Sequence, residues 1–236
     1  MSAALRLAIF DLDGTLVDSR HNISRAVVEA AGLCGLPVPA LEMMPRVIGL
    51  SLAEALAQLF PSAGPRELIA LDHAYRDCFV RYRREPEYEE PVFAGVHETL
   101  AALDDTGVIL AIATGKARRG VDYFLDRHGL IGRFVSIQTP ETAPGKPHPG
   151  MVLQAMAATG AAPEATVMIG DTTYDMLMAR AAGAHAIGVS WGNHAAAELT
   201  AAGARRLIDR LADLPQVIDG LTVHMSGEAS RSGALP

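Results

Sequence analysis

Five short apolar runs constrain the fold of this chain more than any other feature of its sequence. Their apolar residues are continuous rather than alternating, which is typical of strands buried on both faces of a sheet. After residue 90 the runs alternate with helical patterns, several of which end in glycine. This order predicts an α/β fold with a parallel sheet and helices on both faces. The predicted strands, with a weaker sixth run included, are 5–10, 107–114, 134–139, 165–170, 185–191 and 205–209.

The segment of residues 18–90 breaks this alternation. It contains only helical patterns, punctuated by prolines, and it lies between the first and the second predicted strand. An insertion at this point would emerge at the C-terminal edge of the sheet, where open α/β sheets bind ligands. We therefore predict a helical cap domain over 18–90 and a core domain over 1–17 and 91–221. Residues 222–236 are polar and rich in glycine and serine, and they are predicted to form a disordered tail.

The chain is acidic, with 20 Lys and Arg residues against 27 Asp and Glu residues and a formal net charge of −7. Such a surface is poorly suited to nucleic-acid phosphates or to an anionic membrane. The two cysteines, Cys34 and Cys78, lack the CxxC spacing of a zinc site. No apolar run in the sequence is long enough to span a membrane, and the N-terminus lacks a signal-peptide pattern. We therefore expect a cytoplasmic protein that binds neither nucleic acid nor membranes.

Two carboxylates, Asp11 and Asp13, directly follow the first predicted strand. At a separation of ~4 Å and an effective dielectric of ~20, two carboxylates repel each other by roughly 4 kcal/mol. A divalent cation, or a proton held by one of them, would relieve this repulsion. The alternative interpretation is a pair of ordinary loop carboxylates, in which Asp11 caps the following turn.

Polar residues also follow the other predicted strands. Thr114 ends the second strand, and Lys146 lies in a proline-rich loop after the third. Asp171 lies at the end of the fourth strand, and Asp175 follows one helical turn later. Because the C-terminal ends of parallel strands meet at one edge of a sheet, we expect these side chains to converge on the aspartate pair.

This set of side chains matches the demands of phosphoryl transfer. Mg²⁺ prefers carboxylate oxygens, waters and a phosphate oxygen as ligands. A lysine and a hydroxyl can hold the remaining phosphoryl oxygens. One carboxylate can attack phosphorus as a nucleophile, and a protonated second carboxylate can give its proton to the leaving alcohol.

Four motifs resemble, in order, those of the haloacid dehalogenase superfamily. They are DLDGTLVDS at 11–19, ATGK at 113–116, the lysine of PGKPHP at 144–149, and GDTTYD at 170–175. The helical insertion after the first motif resembles the phosphoglycolate phosphatase-like branch, and the resemblance covers roughly residues 5–218. It implies a Rossmann-like core with an inserted α-helical cap. It also implies a Mg²⁺-dependent phosphatase that hydrolyses small phosphomonoesters through an aspartyl-phosphate intermediate.

The resemblance also assigns roles to the motif residues. Asp11 would be the nucleophile and a metal ligand. Asp13 would be the general acid and later the base, and its backbone carbonyl would bind the metal. Thr114 and Lys146 would bind the phosphoryl group, and Asp171 would complete the Mg²⁺ site.

Four further residues are assigned supporting roles. Asp175 would orient the metal site or the motif lysine without binding the metal itself. Gly14 and Gly115 would approach the phosphoryl group through their backbone. Arg46 lies in a cap stretch where relatives place an arginine, and it is a candidate for binding a substrate carboxylate or phosphate. The alternative for Arg46 is a solvated arginine at a helix end.

Several functions compete with hydrolysis of 2-phosphoglycolate. Pyrophosphate, a nucleotide or a sugar phosphate could be the substrate, and a β-phosphoglucomutase-type reaction is a further alternative. Dehalogenases of the family lack the second aspartate, so Asp13 favours phosphate esters. Outside the enzymes, a phospho-accepting receiver module would use a similar acidic site, but receivers are about half as long and carry their phospho-acceptor on a middle strand. A monomer and a homodimer are both compatible with the sequence.

Overall fold

A computed structural model describes residues 5–228 of this protein. Six parallel strands form one sheet in the order β3-β2-β1-β4-β5-β6. The prediction of a parallel α/β sheet is therefore confirmed. The strands are β1 Arg6–Phe10, β2 Val108–Ala113, β3 Ser136–Gln138, β4 Thr166–Gly170, β5 His185–Val189 and β6 Arg206–Ile208.

Strand β1 shows why the apolar runs are continuous. Ala8 and Phe10 pack into one hydrophobic cluster, and Leu7 and Ile9 pack into another. Because successive side chains of a strand point to opposite faces, the two clusters lie on the two faces of the sheet. Both faces are covered by helices of the core, which are α5 Val96–Asp105, α6 Arg118–Arg127, α7 Gly150–Thr159, α8 Thr173–Ala181, α9 Ala196–Ala202 and α10 Leu214–Glu228.

Four α-helices lie within residues 18–90, the segment predicted to be the cap. They are α1 Arg20–Leu33, α2 Met44–Val47, α3 Leu52–Leu59 and α4 Pro65–Tyr82. Their apolar side chains form a hydrophobic cluster separate from the two sheet clusters, with Val27, Leu56 and Leu71 among its buried members. The helices of this segment therefore bury much of their apolar surface against each other.

Between α1 and α3 the chain forms a 3₁₀ turn at Leu41–Met43 followed by the short helix α2. Pro45 lies in the first turn of α2, where its missing N–H is tolerated. Helix α10 was not predicted as an element, and it continues through residue 228, past the expected start of the tail at 222. The rest of the predicted tail lies outside the described residues. Over the described part of the chain, no helix combines the length and apolar character needed to cross a bilayer.

Candidate active site

The sheet register brings the predicted site residues to one edge. Phe10 pairs with Ile112 of β2 and with Ile169 of β4, so the chain leaves all three strands at the same level. Asp11 follows Phe10 directly, and its N–H donates a hydrogen bond of 2.9 Å to the Ile169 carbonyl. Thr114 and Asp171 each follow the last residue of the neighbouring strand. The Asp11, Thr114 and Asp171 side chains are all fully buried at this edge.

Lys146 connects two of the aspartates. Its Nζ lies 2.8 Å from Asp11 Oδ2 and 2.7 Å from Asp175 Oδ1, and all three side chains are fully buried. Burial alone would lower the pKa of Lys146, but the charges of Asp11 and Asp175 outweigh burial and raise that pKa. The lysine is therefore a fixed positive charge beside Asp11.

Three carboxylates form a buried acidic cluster around this lysine. Asp11, Asp171 and Asp175 each offer an oxygen, and these oxygens lie within 4.8 Å of one another. Burial, together with repulsion from the other two aspartates, raises the pKa of Asp11 to about 8 despite the nearby lysine. Burial and the charge of Asp175 raise the pKa of Asp171 to about 6. One lysine does not neutralise three carboxylates, so the donor set fits a divalent cation that binds oxygen ligands.

Loop residues hold the Asp171 carboxylate in place. Thr15 Oγ1 donates to Asp171 Oδ1 at 3.0 Å. The backbone and side-chain N–H groups of Asn193 each donate to Asp171 Oδ2 at 2.8 Å. Gly14, with φ of +86°, and Gly192 approach so closely that a Cβ at either position would overlap Asp171. The sequence analysis assigned no supporting role to Thr15 or Asn193. The one sequence signal for Asn193 is its position directly after Trp191 and Gly192, at the end of the fifth predicted strand.

Asp175 is oriented by the start of helix α8. The backbone N–H and hydroxyl of Thr172 donate to Asp175 Oδ2 at 3.0 and 2.7 Å, which completes a capping box. Its other oxygen is thereby free to contact Lys146. The Thr–x–x–Asp spacing inside GDTTYD is the local signal for this arrangement.

Asp13 does not belong to the acidic cluster. Its Oδ1 accepts hydrogen bonds from Ser19 Oγ at 2.6 Å and from Lys116 Nζ at 2.7 Å. Lys116 Nζ also lies 3.2 Å from Glu90 Oε1, and the Lys116 and Glu90 side chains are 9% and 0% exposed. Sequence reasoning missed Lys116 and Glu90, although Lys116 is the last residue of the ATGK motif. The structure thus surrounds Asp13 with one hydroxyl and one buried ion pair.

The cap lies directly over this edge. A Cβ at Gly115 would overlap the backbone of Gly49 and Leu50, which belong to the cap segment. Arg46 is placed differently from the other predicted site residues. Its guanidinium pairs with Glu198 of α9 at 2.6 Å, and about half of the Arg46 side chain is exposed. Its backbone carbonyl accepts a hydrogen bond from the Tyr174 hydroxyl. Arg46 therefore joins the cap to the core, and its guanidinium pairs with Glu198 rather than with an aspartate of the site.

Comparison with known proteins identifies the family. Residues 8–189 match the family model described as haloacid dehalogenase-like hydrolase, and this span contains all four motifs. The chain belongs to the haloacid dehalogenase-like hydrolases. The resemblance seen in the motifs is therefore confirmed.

Similar proteins match this hydrolase over nearly their whole length. It is 38% identical over 211 residues to the probable phosphatase IndB of Dickeya dadantii, covering 88% of this chain and 91% of that protein. It is 30% identical over 220 residues to a phosphoglycolate phosphatase of Photobacterium profundum, covering 91% and 96%. The crystal structure of a hydrolase from Pseudomonas syringae matches with a TM-score of 0.80 and 29% identity, covering 91% and 98%.

Proposed function

We propose that this hydrolase is a Mg²⁺-dependent phosphatase that acts on small phosphomonoesters. The observation that carries the proposal is the buried Asp11 carboxylate, held by Lys146 inside an acidic cluster at the C-terminal edge of the sheet. A carboxylate so placed can attack phosphorus, and a cation in the cluster would draw the phosphoryl group to it. The names of the similar proteins, a probable phosphatase and a phosphoglycolate phosphatase, support the same reaction class.

The proposed reaction has two steps. In the first, an Asp11 oxygen forms a bond to phosphorus while the bond from phosphorus to the alcohol oxygen breaks, and Asp13 gives its proton to the leaving oxygen. In the second, water attacks the aspartyl-phosphate, Asp13 accepts a proton from that water, and phosphate leaves Asp11 as a free carboxylate. Ser19 and Lys116 fix the Asp13 carboxylate for both proton transfers.

Asp11, Asp171 and the backbone carbonyl of Asp13 would hold the Mg²⁺ ion. When bound, the ion would neutralise charge on the phosphoryl oxygens and align them with Asp11. Asp175 would act through Lys146, which it contacts at 2.7 Å. Thr114 Oγ1 accepts a hydrogen bond from the Lys116 N–H at 3.2 Å, which leaves its own proton for a phosphoryl oxygen.

Gly14 and Gly115 differ in how they fit the roles given to them. Gly115 lies against the cap backbone, and its N–H can point to a phosphoryl oxygen. Gly14 lies against the Asp171 carboxylate, but its N–H donates to the Val17 carbonyl at 2.9 Å, so it would have to leave that carbonyl to bind phosphate. Substrate binding by Arg46 would require its guanidinium to leave Glu198.

A cytoplasmic location, and a monomeric or homodimeric state, stay predictions of the sequence.

Phosphate release from p-nitrophenyl phosphate and from a panel of alkyl phosphates, with and without Mg²⁺, tests the proposal. Asp11→Asn should abolish turnover. Asp13→Asn should slow alkyl esters far more than p-nitrophenyl phosphate, because a good leaving group needs no proton. Normal turnover by Asp11→Asn would refute the assignment of the nucleophile. A long-lived phosphoprotein without turnover would indicate a receiver-like module instead.

A further inference from the structure

A cavity of about 190 Å³ lies between the cap and the core. At one end it reaches Asp13, Gly115 and Lys116. Its remaining walls are largely apolar side chains of the cap helices, among them Ile23, Val27, Leu52, Leu56, Phe79 and Val80. The cavity therefore begins at the proposed acid and extends into the hydrophobic side of the cap.

The cations that line this cavity are paired, stacked or exposed. Lys116 is paired with Asp13 and Glu90. Arg76 forms two hydrogen bonds with Asp72, at 2.5 and 3.0 Å, and its side chain is half-exposed. The Arg83 guanidinium lies 3.9 Å from the centre of the Tyr123 ring, but it forms no ion pair among the described residues and its buried Nε has no hydrogen-bond partner. Arg119 is exposed at the rim. Arg83 is therefore available to a polar atom of a bound group, while the other walls of the cavity are largely apolar.

We propose, on the basis of the phosphatase function above, that this cavity selects phosphate esters whose alcohol part is apolar. The leaving oxygen must lie beside Asp13 to receive its proton, so the group attached to that oxygen extends into the cavity. An apolar group gains free energy when it leaves water for these walls.

The cavity volume sets the size of the group. An apolar protein cavity of ~150 Å³ is known to hold benzene. At about 190 Å³, this cavity can hold a single aromatic ring or a short branched chain. Tyr75, which also lines the cavity, has no hydrogen-bond partner for its hydroxyl among the described residues, and burial raises its pKa so that it stays neutral. The hydroxyl can donate to one polar atom on the bound group, but it cannot balance a charge.

Benzyl phosphate and ethyl phosphate test this selectivity. Both release a primary alcohol, so differences in kcat/KM report mainly on the fit of the alcohol part. With Mg²⁺ present, benzyl phosphate should exceed ethyl phosphate by on the order of 100-fold, since each added apolar contact contributes a factor of 10 or more. A kcat/KM for ethyl phosphate equal to or above that for benzyl phosphate would overturn the inference.

A matched pair of variants on helix α3 locates the selectivity. Ala55 lines the cavity and Ala57 is exposed on the same helix. Ala55→Leu narrows the cavity, so it should lower kcat/KM for benzyl phosphate about tenfold more than for ethyl phosphate. Ala57→Leu should leave the ratio of the two esters unchanged. Equal losses on both esters in Ala55→Leu would overturn the inference.

The outcomes separate this inference from the function on which it rests. If no ester releases phosphate in a Mg²⁺-dependent reaction, the proposed function is refuted and the inference with it. If phosphate is released but the order of the wild-type esters is reversed, only the inference is refuted. The wild-type ranking needs no variant, so a failure of Ala55→Leu to fold leaves the test intact.

Discussion

Replacing Lys116 by methionine should destabilise the fold strongly, because two carboxylates share this one buried cation. The Lys116, Asp13 and Glu90 side chains are 9%, 10% and 0% exposed. Removing one partner from a buried ion pair typically costs ~3–5 kcal/mol, since the other charge stays desolvated. For a chain of this size each kcal/mol corresponds to ~2–4 °C in Tm, so Lys116→Met should lower Tm by roughly 6–20 °C.

Thermal unfolding followed by circular dichroism or calorimetry measures this shift. Arg118→Met is a matched control, because Arg118 pairs with Asp122 while both side chains are more than half exposed. Exposed pairs contribute ~1 kcal/mol or less, so the control should lose only a few degrees. Adding Glu90→Gln to Lys116→Met should recover part of the lost stability, because the substitution removes one of the two stranded charges.

The sign of the pH dependence can also be checked. The carboxylates raise the pKa of Lys116 above its usual value, in spite of burial. Its contribution is therefore fully present below the pKa of an unfolded lysine and is lost only as pH rises through the raised folded value. The difference in Tm between wild type and Lys116→Met should thus persist across neutral pH. A Lys116→Met protein that melts with the Arg118→Met control would refute the reasoning.

Three other predictions concern the metal site. Without Mg²⁺, the free energy of unfolding should fall as pH rises through the folded pKa values of about 6 for Asp171 and about 8 for Asp11. The rise in Tm caused by Mg²⁺ should therefore be larger at about pH 9 than at about pH 5. Asn193→Ala removes a donor 2.8 Å from Asp171 and should weaken Mg²⁺ binding by roughly 10-fold or more in calorimetric titration. Gly14→Ala should abolish phosphatase activity, because the added Cβ would overlap Asp171. Gly107 has a similar φ but no atoms near the position of an added Cβ, so Gly107→Ala should cost only ~1 kcal/mol in urea unfolding.

The sheet could be predicted because its strands are buried on both faces. Continuous apolar runs locate such strands without tertiary information, and β1, β2 and β4 were each found to within a residue or two. Helix α10 was missed because Pro215 in its first turn and Gly220 in its interior weaken the helical pattern. Packing against the rest of the folded domain, rather than the helix propensity of its own residues, determines that such a segment is helical.

The site was predictable where a residue is tied to a strand end. Asp11, Thr114 and Asp171 are placed by the register of the sheet, so the sequence of motifs was sufficient to bring them together. The partners of Asp13 were not predictable in the same way. Lys116 lies in the loop after β2, and Glu90 comes from the far end of the cap segment. The register of the sheet fixes neither side chain, so these contacts depend on how the loop and the returning cap linker pack together.

The two cap linkers, residues 17–19 and 90–92, connect the cap to the proposed acid. They are paired with each other, since the Asp18 N–H donates to the Pro91 carbonyl at 2.9 Å and Val17 forms a bridge with Val92. One linker supplies Ser19, which donates to Asp13, and the other supplies Glu90, which shares Lys116 with Asp13. The linkers thus supply one donor to the Asp13 carboxylate, Ser19, and they also supply Glu90, which binds the other donor, Lys116. The orientation of Asp13 for proton transfer therefore depends on the linkers keeping this paired arrangement. The segment that carries the substrate-facing cavity is therefore mechanically connected to the group that protonates the leaving oxygen.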